Sequence, residues 1–282
     1  MAGRGLPTGV GMTALYVVLE RRVENARTDR LFHDPFAARF LTALRGAPSM
    51  AATAAFSNVS GFLRGYIPLR TWFYDTCALE AARTTCRQVV LLGGGLDTRA
   101  FRLQWPEGTR VFDVDSPAML ALQADVVASA HPTCYRSPVA VEDLSGLRTA
   151  LHSAGFNPDE PTAWVLEGLL SRLSEAENDE VMAEITGLSA SGSRLVADHF
   201  NHAIRRNPRF CVAEQLLTVL GPIWKSAKDD VIAWLATYGW NAQVMSPDRP
   251  AATAARRLPP VLDRHLVDPG RVWFVRAAIT RP

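Results

Sequence analysis

The chain has little cysteine and almost no lysine. Cys77, Cys86, Cys134 and Cys211 are far apart in 282 residues and form no C-x-x-C pair. That pattern excludes a disulfide framework and a cysteine zinc site, and suits reduced thiols in a cytoplasmic protein. The six histidines show no zinc spacing either. Lysine occurs only at 225 and 228; the other basic residues are scattered arginines, and the net charge is +2. Nothing in that balance calls for nucleic acid, and Arg205, Arg206 and Arg209 read as a solvated face. No apolar run approaches the roughly 18 residues that would span a bilayer. The opening Met1–Pro7 stretch has no apolar core of a secretion signal. There is no G-x-S-x-G nucleophile turn and no internal repeat.

What is present is apolar content and alternation. Hydrophobic residues make up 48% of the chain, enough for a sizeable core. Residues 12–45 read as helical, with Met12, Leu15, Leu19 and Val23 at helical spacing. Asp34 and Pro35 read as the N-cap and first residue of a new helix. Residues 46–60 are small and polar and read as a loop, and 69–84 as a helix. Strands are expected at 88–92, 110–114, 137–141, 162–166 and 193–199, with helices between them. Such alternation gives a parallel sheet covered on both faces. Residues 201–238 are mainly helical and interrupt the pattern; strands return at 240–245 and 272–279, flanking a Pro-, Ala- and Arg-rich loop. The expected class is α/β: a Rossmann-like seven-stranded sheet whose last strand is antiparallel. The expected organisation is an N-terminal helical cap over 1–85, a nucleoside-binding core over 86–200, a helical insertion over 201–238 and a closing strand pair over 239–282.

The chemistry concentrates at 87–115. An apolar strand enters Gly93-Gly94-Gly95, a helix follows, and a second strand ends at Asp115, twenty residues beyond Gly95. This is the layout of a nucleoside site, in which glycines let the backbone approach the ligand and the acid takes ribose hydroxyls. Thr98 stands where a dinucleotide fingerprint needs its third glycine, and Asp97 lies where a pyrophosphate would bind. A carboxylate there repels phosphates and tolerates a cation, which points to S-adenosylmethionine. Ligands of open parallel sheets bind beyond the carboxyl ends of the strands. Those ends carry Gly93, Asp115, Glu142-Asp143, Glu167 and Asp198-His199, a rim rich in carboxylates. Asp115 is a ribose ligand or the cap of the helix entered at Pro117. Asp143 accepts from an adenine amino group or closes a turn with Ser145. Glu167, in an apolar run, needs a cation: the ligand's ammonium or sulfonium, or an Arg from the N-terminal helices. His199 and His202 lie just past the fifth strand, as general bases or as surface histidines.

Several segments together resemble the leucine carboxyl methyltransferase and polyketide carboxyl methyltransferase family. They are Arg21-Arg22-Val23-Glu24, Leu31-Phe32-His33-Asp34-Pro35-Phe36, Arg70-Thr71-Trp72-Phe73, Val90 to Arg99, Val111 to Pro117 and Trp164 to Leu170. The resemblance implies a class I S-adenosylmethionine-dependent methyltransferase. It implies that Arg21 (or Arg22) and Arg70 hold the cofactor's carboxylate, Gly93 approaches the cofactor, Asp115 takes the ribose, Asp143-Leu144 the adenine, and Glu167 the amino-acid end. Gly95 and Asp97 belong to the same turn. One departure stands out: the family places a Tyr two residues after Glu-Gly-Leu-Leu, and this chain has Ser171-Arg172-Leu173. The expected reaction is O-methylation of a carboxylate or hydroxyl of a small molecule, such as a polyketide or other specialised metabolite. The alternative, motivated by Arg172, is a cyclisation or rearrangement on the same scaffold without methyl transfer; a non-catalytic binding protein is a third reading.

Overall fold

The computed structural model describes residues 10–44, 65–218, 224–245 and 256–280. Seven strands form one sheet: β1 Gln88–Leu92, β2 Arg110–Asp115, β3 Tyr135–Ala140, β4 Thr162–Leu166, β5 Arg194–Phe200, β6 Trp240–Met245 and β7 Val272–Ile279. Their order is β3-β2-β1-β4-β5-β7-β6. β1 to β5 run parallel, and β7 inserts antiparallel between β5 and β6. The antiparallel closing strand is therefore where the late strand pair put it.

β1 and β4 are buried at every position, Gln-Val-Val-Leu-Leu and Thr-Ala-Trp-Val-Leu. A central parallel strand is covered on both faces, so its sequence reads as a continuous apolar run. Side chains still alternate between two cores. Val89, Leu91, Ala163, Val165 and Phe274 pack with the N-terminal helices. Val90, Leu92, Trp164, Leu166 and Val275 pack with residues of the Leu147–Ser153, Glu175–Gly187 and Val231–Ala236 helices. Two tryptophans buried in the second core keep a polar partner: Trp164 Nε1 donates to Ser189 Oγ at 2.9 Å and Trp240 Nε1 to Thr186 Oγ1 at 2.9 Å.

Two boundaries differ from expectation in ways that matter. β3 starts at Tyr135, and β5 runs through Phe200, which puts His199 inside the strand. At the N-terminus the helices are Val10–Asn25 and Ala37–Ala43, and Asp34 does not cap the second. It is buried and accepts from the Phe36 amide at 3.0 Å, one turn early, while Asn25 brackets its backbone at 2.6 and 2.8 Å. The next helix among the described residues is Tyr66–Thr84. The expected loop at 46–60 lies outside the described residues, as does the 246–255 part of the Pro-, Ala- and Arg-rich loop. In the 201–238 stretch the described residues form a 3₁₀ turn and the Pro208–Thr218 and Val231–Ala236 helices. Among the described residues no helix is long and apolar enough to cross a membrane.

The Glu175–Gly187 helix anchors the loop that leaves β4. Its N-cap is Ser174, whose Oγ accepts from Glu177 N at 3.3 Å while Glu177 Oε2 accepts from Ser174 N at 2.6 Å, a reciprocal capping box. Ser174→Ala is expected to lower the unfolding free energy by about 1 kcal/mol, and Ser174→Gly by only a few tenths. Urea titration at constant m-value checks both.

Candidate active site

The carboxyl ends of β1, β4 and β5 open into a cleft roofed by the N-terminal helices. It is lined by Arg21, Tyr66 and Arg70, by the Gly93–Leu96 turn, by Glu167, Gly168, Ser171 and Arg172, and by Asp198 and Phe200. Phe210, Trp224, Val261 and Val272 line it as well. Its volume, ≈ 140 Å³, is below the roughly 300–1,000 Å³ that encloses a drug-sized ligand. A cofactor-sized ligand would therefore lie only partly inside it and partly on the open rim.

The glycine turn is shaped by its neighbours. Gly93 and Gly95 have φ of +65° and +64°, where an L side chain is strained. A Cβ on Gly93 would also meet Leu169 Cδ1 at 3.0 Å. Asp115, at the end of β2, accepts from Gly95 N at 2.8 Å and Ser116 N at 2.7 Å. The cap of the following helix is Ser116, whose side chain accepts from Met119 N, so Asp115 is not spent as a cap. It stands half-buried at the rim beside Gly95.

Asp97 does not face the cleft. It is 2% exposed, accepts from Arg99 N at 2.7 Å and pairs with the Arg99 guanidinium. The cation it meets belongs to its own chain. Arg99 is fully buried and also pairs with Asp75, at 2.8 Å, and with Glu167.

Glu167 is pinched between Arg99 and Arg70, whose Nε lies 3.3 Å from Glu167 Oε1. That N–H is not aimed at the oxygen, so Arg70 Nε and Glu167 Oε1 are both buried without a hydrogen bond, as is Arg21 Nε. Burial alone would raise the Glu167 carboxyl; the charges of Arg99, Arg70 and Arg21 outweigh it and hold the group at about 2. The partner offered by the N-terminal helices is therefore Arg70, joined by Arg99 from the glycine-turn side. Arg21 Nη1 donates to Leu96 O at 2.9 Å and lies 3.7 Å from Asp34. Arg22 is exposed.

Asp198 is the group whose place in the site sequence reasoning missed, although it was visible as an acid at the end of β5. Its Oδ1 accepts from Tyr74 OH at 2.6 Å and Gly168 N at 2.7 Å; its Oδ2 faces Tyr66 OH at 3.2 Å and Arg70 Nη1 at 3.5 Å. Burial, and then the Asp198 charge, push both phenols above their usual range. Gly168 has φ +63°, and a Cβ there would strike Arg70 Nη1 at 2.9 Å, so only glycine lets Arg70 lie against this turn.

Four other expected residues do not line the cleft. Asp143 is exposed and turned back onto Ser145, whose amide it meets at 2.9 Å; Leu144 starts the 3₁₀ turn, and neither lines the cleft. His199 is within β5, so its side chain leaves the sheet on the face opposite to Asp198. It is 1% exposed, packs edge-on to Phe200 at 5.5 Å, and neither ring nitrogen has a hydrogen-bond partner. His202 is exposed and lies 3.2 Å from Asp229. Neither histidine lines the cleft, which corrects their expected role as bases. Among the described residues no cluster of side chains could hold a metal.

Sheet order, a glycine turn at β1 and an acid at the end of β2 define a class I, S-adenosylmethionine-dependent methyltransferase. Residues 14–186 match the leucine carboxyl methyltransferase family, and the chain belongs to it. It is 35% identical over 257 residues to a candidate S-adenosyl-L-methionine-dependent methyltransferase of Parafrankia sp., covering 89% of this chain and 83% of that one. A similarly described protein of Streptomyces coelicolor is 38% identical over 272 residues, 94% of each chain. Among solved structures, a DUF574-family protein of Streptomyces avermitilis superposes with a TM-score of 0.60 at 13% identity, covering 86% of this chain and 97% of that one. A candidate methyltransferase of Thermobifida fusca gives 0.59 at 17% identity, covering 86% and 94%. At these identities the structures bear on the fold alone.

Burial, opposed by Asp198 and Glu175 and aided by Lys228 and His202, lowers the His199 imidazole to about 4. The unfolded chain takes this proton near 6.5 and the folded chain near 4, so stability is lost as pH is lowered across that window. The slope is about 1.4 kcal/mol per pH unit. His199→Leu should remove one proton's worth of that slope. Urea unfolding at pH 7, 6 and 5 measures it, and unchanged slopes would mean that His199 titrates normally in the folded protein.

Proposed function

We propose that this protein transfers the methyl group of S-adenosylmethionine to a carboxylate oxygen of a small-molecule acid, such as a polyketide or another specialised metabolite. One observation carries the choice of a carboxylate: among the described residues, the cleft offers no proton acceptor suited to neutral pH. No histidine lines it, Glu167 is held at about 2, and Asp198 is engaged by Tyr66, Tyr74, Arg70 and Gly168 N. A hydroxyl acceptor would have to lose a proton; a carboxylate is already ionised.

The residues fit the cofactor's amino-acid end. Arg21 Nε and Arg70 Nε are buried donors lacking a hydrogen bond, and Glu167 Oε1 is a buried acceptor lacking one. A zwitterion supplies the complement: a carboxylate for the two guanidinia and an ammonium for Glu167. Gly93 and Gly95 provide close backbone approach, Asp115 takes the ribose hydroxyls, and Asp143-Leu144 stand at the adenine side once Asp143 releases Ser145. Asp97 acts indirectly, by fixing the turn through Arg99. The bound cofactor supplies a methyl group already activated by its sulfonium. The chain's task is then positioning, which can contribute roughly 7–11 kcal/mol. In this reading residues 1–85 cap the cleft, 86–200 hold the cofactor, 201–238 wall the acceptor side and 239–282 close the sheet. Four unpaired, separated cysteines suit a cytoplasmic enzyme.

Incubation with methyl-labelled cofactor and a panel of organic acids should place the label in a base-labile ester; a product formed without label would favour rearrangement and overturn methyl transfer. Asp115→Ala should weaken S-adenosylhomocysteine binding about 10- to 150-fold, the effect of losing roughly 1.5–3 kcal/mol of charge-assisted hydrogen bonding. Calorimetry measures it, and unchanged affinity would remove Asp115 from the site.

A further inference from the structure

Once the cofactor's zwitterion is assigned to Arg21, Arg70 and Glu167, one half-buried cation in the cleft remains unaccounted for. Arg172 lines the cleft from the 3₁₀ turn after β4. Among the described residues its guanidinium makes one hydrogen bond, from Nη2 to the neutral carbonyl of Gly93, at 3.0 Å. Its Nε is buried and has no partner. Among the described residues no carboxylate lies within ion-pair distance of it, whereas Arg21, Arg70 and Arg99 each have at least one. Burial draws its guanidinium below the usual range, opposed by the more distant Asp115. A partly desolvated guanidinium with a spare donor is an anion site, and the described residues supply no anion to it.

Arg172 shares the cleft with an aromatic wall. Phe210 and Trp224 stack with centroids 4.4 Å apart and planes at 26°. Phe200 meets Phe210 edge-on at 5.4 Å and Trp224 at 5.9 Å. All three line the same cleft as Arg172. The wall is tied to the arginine's own turn: the amide of Lys225, next to Trp224, donates to Ser171 O at 2.7 Å. Arg205 Nη2 holds Trp224 O at 2.7 Å from the other side. Rigid flat side chains beside a lone guanidinium recognise a flat apolar body that carries a negative group.

We propose that Arg172 and the Phe200–Phe210–Trp224 wall form the acceptor subsite, and that it selects a flat aromatic anion, with Arg172 holding the anionic group. This rests on the methyl-transfer reading, in which the cofactor occupies the Arg21–Arg70–Glu167 end. Arg172 is a specificity residue: it holds the acceptor's charge beside the glycine turn, and the wall orients the ring system.

The test uses the full chain saturated with S-adenosylhomocysteine, with 2-naphthoate and its uncharged isostere 2-naphthamide as probes, titrated by calorimetry. The acid is expected to bind at least tenfold tighter than the amide. Arg172→Gln should bring the two within twofold of each other, Arg172→Lys should restore part of the preference, and Trp224→Ala should weaken both probes alike. Circular dichroism and the S-adenosylhomocysteine titration of each variant establish that it is folded. The proposal is overturned by undetectable binding of 2-naphthoate, by equal binding of acid and amide to the unaltered chain, or by a preference that survives Arg172→Gln. A tenfold loss of S-adenosylhomocysteine affinity in Arg172→Gln with the acid preference intact would assign Arg172 to the cofactor and also overturn it. Failure of the methyl-transfer reading looks different: S-adenosylhomocysteine then does not bind the unaltered chain at all.

Discussion

A guanidinium with no access to water must be surrounded by charge, and Arg99 is such a group: fully buried, facing Asp75, Asp97 and Glu167. Each carboxylate comes from a different part of the chain: the Tyr66–Thr84 helix, the glycine turn and the end of β4. Arg99 also lies over the Tyr74 ring at 5.7 Å, and Asp75 is shared with Arg102 at 2.7 Å. Removing one partner from such a cluster strands the rest, at a cost of about 3–5 kcal/mol for a buried pair. The N-terminal helices are thereby locked to the sheet through the site rather than laid over it.

Everything the cleft presents is braced from this cluster outward. Asp97, held by Arg99, sits against the turn so closely that a Cβ on Gly94 would meet its Cβ at 3.1 Å. Asp115 holds the Gly95 amide and Arg172 the Gly93 carbonyl, so the turn is fixed by polar contacts on separate sides. Glu167 passes the constraint to Arg70, and Asp198 joins Arg70 to both tyrosines of the Tyr66–Thr84 helix and to the Gly168 amide. Groups aimed before the ligand arrives need no reorganisation during the reaction.

How much of this could be read from the chain depends on the range of the interaction. The apolar runs at 88–92 and 162–166 are local signals, and both strands stand where those runs are. The late pair at 240–245 and 272–279 was equally plain, and its antiparallel pairing follows from the class of sheet. Partner choice is not local. Asp97 looked like a receptor for a cationic ligand because nothing in the sequence says that Arg99, two residues on, turns inward to meet it. Glu167 was rightly read as needing a cation, but the pattern could not rank the ligand against Arg70 and Arg99. His199 shows the sensitivity of strand ends. β5 runs through Phe200, so position 199 belongs to the pleat, and its neighbour Asp198 takes the cleft side.

The cleft divides into two regions of opposite physics, and the division limits the chemistry. At the Arg21–Arg70–Glu167 end every charge is matched by another, and these three side chains keep two donors and an acceptor without a hydrogen bond among the described residues. At the Phe200–Phe210–Trp224 end there is apolar surface and one guanidinium. A base poised near neutrality would need a weakly solvated carboxylate without counter-ions or a partly exposed imidazole. The arginines that organise the first region rule out the former by lowering Glu167, and the pleat of β5 rules out the latter by turning His199 away. The same ion-pair cluster that makes the site rigid thus leaves it unable to take protons. That arrangement suits the carboxylate acceptor proposed above, which arrives already charged, and in that reading the unmatched cation at Arg172 has a partner.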